Sequence, residues 1–158
     1  MNSWGRGIRE ITDAGDLRVV VRDEVWKQTR LGPEAVKSFD ADLRLSRTVG
    51  DIQWANLHKP SDMMGVGDGG SQAVAIAKDL FHLADTKIFY GQDPAVAHEL
   101  HDLFGLGPRA VSLITGWALQ AKGRAVWMVG DRLYRVQGIL HPLERDLTFT
   151  NAALAGAA

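Results

Sequence analysis

The 158 residues suffice for one domain with a sizeable core, and 46% hydrophobic with 23% charged residues is the balance of an ordinary globular protein. A net charge of −1 gives bulk electrostatics no pull toward nucleic acid or an anionic membrane. The lack of cysteine excludes disulfides and thiolate metal sites, no apolar run nears the ~18 residues that span a bilayer, and the opening Met-Asn-Ser-Trp-Gly-Arg-Gly has no signal-peptide core, so a cytoplasmic protein is expected.

Residues 8–14 read as a short helix or the end of one, broken by Gly15. The β-branched run Val19-Val20-Val21 predicts a short buried strand over 17–22. Asp23 and Glu24 follow where that strand ends, and a loop runs from Lys27 to Gly32. Pro33 suits the first turn of a helix, with Glu34 favourable near its N-terminus. The spacing of Val36, Phe39, Leu43 and Val49 makes that helix amphipathic, and Gly50 stops it. Residues 51–57 read as a second strand, closed by His58-Lys59-Pro60. Gly65, Gly67, Gly69 and Gly70 form a flexible loop; Ser71 is the expected N-cap of a helix over 72–83, with Val74, Ile76, Ala77, Leu80 and Phe81 on its apolar side. A third strand is expected over 86–90, and Asp93-Pro94 opens a helix to Phe104. Pro108 begins a further helix to about Thr115, and 124–129 with 132–139 form a hairpin around Gly130-Asp131. His141 to Glu144 starts a last helical turn, and the Ala/Gly tail frays. Three successive strand–helix units imply parallel pairing and an α/β sheet.

Ligand sites in such sheets lie at the carboxyl ends of strands. Asp23 and Glu24 stand there, and adjacent residues on a strand tip point to opposite sides, which gives the two acids different tasks; a strand that ends in a polar turn is the other reading of the same residues.

Three stretches line up in order: VVVRDEVW; LRLSRTVG with the strand that ends in LHKPSD; and GDGGSQAVAIAKDLFHLADTKIFYGQDP. Together they resemble the C-terminal half of the ATPase domain of conjugative-transfer and type IV secretion ATPases. More closely, they look like actinobacterial ATP-binding proteins of the HerA–FtsK branch of P-loop NTPases. The similarity runs from about residue 15 to about residue 150. It implies a partial RecA-like parallel sheet with a small C-terminal helix and β-hairpin, in one domain whose 15–105 stretch is the αβ core and whose 106–158 stretch is an extension. It further implies Mg²⁺ and ATP as cofactors, with Asp23 holding the cation through water and Glu24 as catalytic base. Residues 52–57 match the sensor strand, and the place of its polar terminal residue is taken by His58. Arg44 and Arg47 lie on the helix between the two strands, and in a ring-forming ATPase of this kind one of them is expected to reach a neighbour's nucleotide as an arginine finger; a solvated face with arginine stems over apolar surface is the other use of LRLSR.

The phosphate-cradling pattern G-x-x-x-x-G-K-[ST] is absent. The loop from Gly65 to Gly70 precedes a helix, but Lys78 lies too far along that helix to serve it. The strand carrying a phosphate loop would fit between 52–57 and 86–90 and is expected from sequence ahead of Met1, so the strands either close up or leave an apolar slot. An open strand edge is a template for another chain. The resemblance therefore implies an oligomer with an ATPase chain that supplies the phosphate loop, meeting DNA or secreted protein only through the parent machine and holding no membrane span of its own.

Other chemistry is thin. His98-x-x-His101 around Glu99 is one residue short of the H-E-x-x-H zinc pattern. Asp62 and Asp68 flank the glycine loop as cation candidates, and Trp26 and Trp54 flank the acids, where they pack on a base or in the core. The readings left open are an ATPase portion contributing Walker B and sensor residues, a non-enzymatic module that pairs with an ATPase chain, and unrelated metal chemistry on the two acids.

Overall fold

Proline at the entrance and glycine at the exit define the longest element. In the computed structural model, which describes residues 18–25, 27, 31–64 and 72–144, helix α1 spans Pro33–Val49 with Pro33 in its first turn. Gly50 adopts φ 77°, a left-handed C-cap whose N–H donates to the Ser46 carbonyl. The other elements are β1 (Val19–Arg22), β2 (Ile52–Ala55), α2 (Ser61–Met64), α3 (Gln72–Leu83), β3 (Thr86–Tyr90), α4 (Pro94–Phe104), α5 (Pro108–Thr115), a 3₁₀ turn (Trp117–Gln120), β4 (Arg124–Val129) and β5 (Arg132–Gln137). The predicted helical stretch at 8–14, Trp26, the Gly65–Gly70 loop with Asp68, Ser71 and the tail lie outside the described residues, as do the side chains of Arg47, Val49, Val74 and Ala77.

The chain divides into two compact units. One runs through Asp85 and takes in Pro94–Gly107; the other joins Thr86–Asp93 to the residues from Pro108 onward. In the first, β1 and β2 pair in parallel, with Val19 opposite Ile52 and Arg22 opposite Ala55. The Arg18 guanidinium grips the Asp51 carboxylate at the start of both strands, with Nε at 3.1 Å from Oδ1 and a second nitrogen on Oδ2. One face of this pair meets α1: Arg22 lies 5.2 Å over the Phe39 ring and reaches Asp42. Val25, Val36, Phe39, Leu80 and Phe81 form the core, flanked by Leu43, Leu57, Ile76, Leu103 and Phe104.

The opposite face carries Val19, Val21, Ile52 and Trp54, each about half exposed. The run Val19–Val21 therefore makes the predicted strand but not a buried one. Alternation puts Val20 and Arg22 on the helix-covered side, where Phe39 and Asp42 hold the arginine, and turns Val19 and Val21 outward.

In the second unit the order is β3–β4–β5, both pairings antiparallel. The Gly130-Asp131 hairpin forms as predicted, with Gly130 at φ 59°. The third strand departs from expectation. Thr86–Tyr90 pairs antiparallel with β4, Ile88 opposite Trp127, instead of extending the parallel sheet of β1 and β2. The fold class is thus mixed α/β, a parallel strand pair plus an antiparallel hairpin sheet. Gly91, just past β3, sits against the 3₁₀ turn: a Cβ there would lie 2.8 Å from Leu119 Cδ2 and 2.9 Å from the Ala118 carbonyl carbon. Because the backbone cannot yield as a side chain would, Gly91→Ala is expected to cost about 1–3 kcal/mol, read as a lowered thermal midpoint; an unchanged midpoint would show the turn to be free to shift.

Candidate functional site at the ends of two parallel strands

The acids stand one step beyond β1, in a turn over residues 23–25. Asp23 Oδ1 accepts the Glu24 N–H at 3.1 Å, and the Glu24 carbonyl accepts the Lys27 N–H at 2.9 Å. Glu24 takes φ 50°, the left-handed region, at a strain of roughly 1–2 kcal/mol for a residue with a Cβ. This turn replaces the extended alternation expected of a strand tip, so Asp23 and Glu24 line one cleft instead of facing opposite sides. Val25, fully buried in the core, anchors the turn from below.

The β2 side completes the cleft, a shallow opening of about 190 Å³ lined by Asp23, Glu24, Asn56, Leu57 and His58. Asn56 N–H donates to the Arg22 carbonyl at 2.9 Å, and its own carbonyl accepts the Val25 N–H at 3.2 Å. His58 Nε2 lies 3.2 Å from Glu24 Oε1, while the Lys27 ammonium holds Oε2. Those partners, the lysine hydrogen bond first and the histidine second, keep the Glu24 carboxyl below its ordinary range, against a smaller opposing effect of desolvation. The same contacts favour the ionised carboxylate and engage both of its oxygens.

Three of the predicted site residues, Asp23, Glu24 and His58, come together here. Arg44 does not line the cleft: its Nε bonds both Asp40 oxygens at 2.9 Å one helical turn back, which draws its guanidinium pKa upward. Arg47 stands on α1 with its side chain outside the described set. His98 and His101 stack at 5.8 Å, and Glu99 accepts the Ser61 N–H, a packing arrangement; among the described residues no group of three or more His, Asp or Glu side chains is placed to hold a metal. Asn56 and Lys27 carry no site pattern in the sequence. The strand ends at Ala55 and not at Leu57, so the first polar residue past it is Asn56, two positions before His58.

A parallel strand pair and an antiparallel hairpin sheet, each with its own helices, define a mixed α/β fold. That fold is similar to VirB4 of Thermoanaerobacter pseudethanolicus, with a TM-score of 0.74 over 90% of this chain and 36% of that one, at 17% identity. The chain spans about a third of the length of that protein, and the likeness is one of fold. No protein-family model matches the chain, and no curated protein matches its sequence. No helix among the described residues is long and apolar enough to cross a membrane.

Proposed function

We propose that the chain forms the Walker B and sensor portion of a motor ATPase of the type IV secretion and conjugative-transfer kind, acting with a phosphate loop supplied by other sequence. The observation that carries this reading is the convergence of Asp23, Glu24 and His58 on one cleft at the carboxyl ends of two adjacent parallel strands. The similarity of fold to VirB4 supports it.

The donor set suits a hard cation. Among the described residues, Asp23 accepts two hydrogen bonds, both on Oδ1, and Oδ2 has no protein partner. One such carboxylate with water and nucleotide phosphates is a usual Mg²⁺ environment, and the cation when bound would neutralise charge developing on the phosphates. The triphosphate itself is not provided for, since the chain lacks G-x-x-x-x-G-K-[ST]. Glu24 would orient and deprotonate the attacking water once Lys27 releases one carboxylate oxygen, and His58 would report on the phosphate from the β2 side. One of the two arginines of α1, Arg44 or Arg47, would act as an arginine finger toward a neighbouring subunit's nucleotide, Arg44 only after leaving Asp40. The setting is cytoplasmic, peripheral to a membrane secretion complex, in an oligomer.

A second reading, a non-enzymatic module that pairs with an ATPase chain, is favoured by the β1–β2 pair itself. Its outer edges are unpaired among the described residues, and its outer face is apolar. Calorimetry separates the readings. The chain alone is expected to bind Mg²⁺·ATP no tighter than about 100 μM, roughly −5.5 kcal/mol. Mixed with the phosphate-loop half of a type IV secretion ATPase, it should bind the nucleotide, lose binding in Asp23→Ala, and in Glu24→Gln keep binding while hydrolysis falls by about 10²–10⁴-fold. Tight binding by the chain alone, lost in Asp23→Ala, would overturn the half-site. Association that ignores both nucleotide and Asp23 would favour the interaction module.

A further inference from the structure

The geometry points to Asn56 as a positioning residue for Asp23, with the Trp54 indole deciding which way its amide faces; the inference deepens the reading of Asp23 as a cation ligand and rests on it. Trp54 and Asn56 are two apart at the end of β2, so their side chains emerge on the same side. Trp54 Nε1 donates to Asn56 Oδ1 at 2.6 Å. An indole N–H can only donate, so the amide oxygen must face the tryptophan and the NH₂ must turn away from it. It turns to Asp23, where Nδ2 donates to Oδ1 at 3.4 Å. This is the oxygen that already accepts the Glu24 N–H. Both donors thus gather on Oδ1, which leaves Oδ2 for a ligand. A flipped amide would set its oxygen against the carboxylate and undo this.

The two main-chain bonds of Asn56 to Arg22 and Val25 do not depend on its side chain. The acidic turn therefore survives substitution of Asn56, and its side-chain role is separable from its structural one. Trp54→Phe keeps the ring and removes only the N–H, so the amide loses what sets its orientation. The two changes act along one path and should not add.

The test uses the ¹⁵N- and ¹³C-labelled full chain and Mn²⁺ alone as a paramagnetic probe, with the Val25 and Leu57 amides as reporters and the Val126 and Ile114 amides as a check on folding. In wild type, Mn²⁺ should broaden the reporters, and Asp23→Asn should abolish this. Trp54→Phe and Asn56→Leu should each raise the Mn²⁺ concentration required by about tenfold, the usual loss when an outer partner of a metal ligand is removed, and the double variant by no more than either. Loss in Asp23→Asn with wild-type behaviour in Trp54→Phe and Asn56→Leu would overturn the positioning role while leaving the cation site standing. If Mn²⁺ broadens neither reporter in wild type, the cation reading fails, and the Asp23 carboxyl carbon decides the rest: a shift that moves in Trp54→Phe and in Asn56→Leu supports the relay, and one that stays in both overturns it.

Discussion

Phe39→Ala is expected to remove about 3–5 kcal/mol of stability, the range for truncating a buried phenylalanine. Phe39 is 6% exposed and packs with Val25, Val36, Leu80 and Phe81, so its loss opens a cavity bordered by elements that cannot all close on it. It also removes the ring beneath the Arg22 guanidinium. Small domains are stable by about 5–15 kcal/mol, so the variant should show a large fall in its urea midpoint. Because Val25 belongs to the same cluster and sits directly after the acids, the cleft should loosen as well. A loss below about 1 kcal/mol would mean that this cluster does not hold the first unit together.

The second large effect is expected at the start of the parallel pair. The Arg18 and Asp51 side chains are 14% and 6% exposed, and removing one member of such a pair strands the other charge in a poorly solvated place. Asp51→Ala should cost about 3 kcal/mol, the low end for breaking a buried pair, because Arg18 keeps some access to water. Arg18→Met combined with Asp51→Leu should recover most of that, since an apolar replacement of the whole pair leaves no unpaired charge. Urea titrations of Asp51→Ala and of the double variant, each against the parent chain, make the comparison. A double variant as unstable as Asp51→Ala would show that the ion pair sets the register of β1 on β2 in a way no apolar contact replaces.

Local signals carried much of the fold. Pro33 and Gly50 bracket α1, and the spacing of Val36, Phe39 and Leu43 marks the face that is buried. Gly130 marks the hairpin. What periodicity could not reveal was pairing. Thr86–Tyr90 looks the same as a parallel or an antiparallel strand, and only the complementary surface of β4, far along the chain, decides. Nor could it show that Val19 and Val21 face outward, because Arg22 is drawn inward by a phenylalanine and an aspartate on another element. In the cleft, Asp23, Glu24 and His58 stood out as polar groups after β-forming runs. Asn56 did not, because its place depends on a strand end two residues earlier than the hydrophobic pattern implies, and Lys27 did not, because its partner is fixed by a left-handed turn at Glu24.

The path of the chain between its two units has a practical consequence. It passes from the first unit to the second at Thr86, returns at Pro94 and leaves again at Pro108. No single cut can therefore yield two complete halves: a break near residue 85 leaves α4 with the wrong piece, and one near 107 strands β3. On the ribosome, β3 emerges well before the strand it pairs with, so its hydrogen-bonding edge must wait through some forty residues of synthesis. Slow translation through that stretch lengthens the exposure, and an amphipathic strand held open in this way is the point at which a holdase would engage the nascent chain.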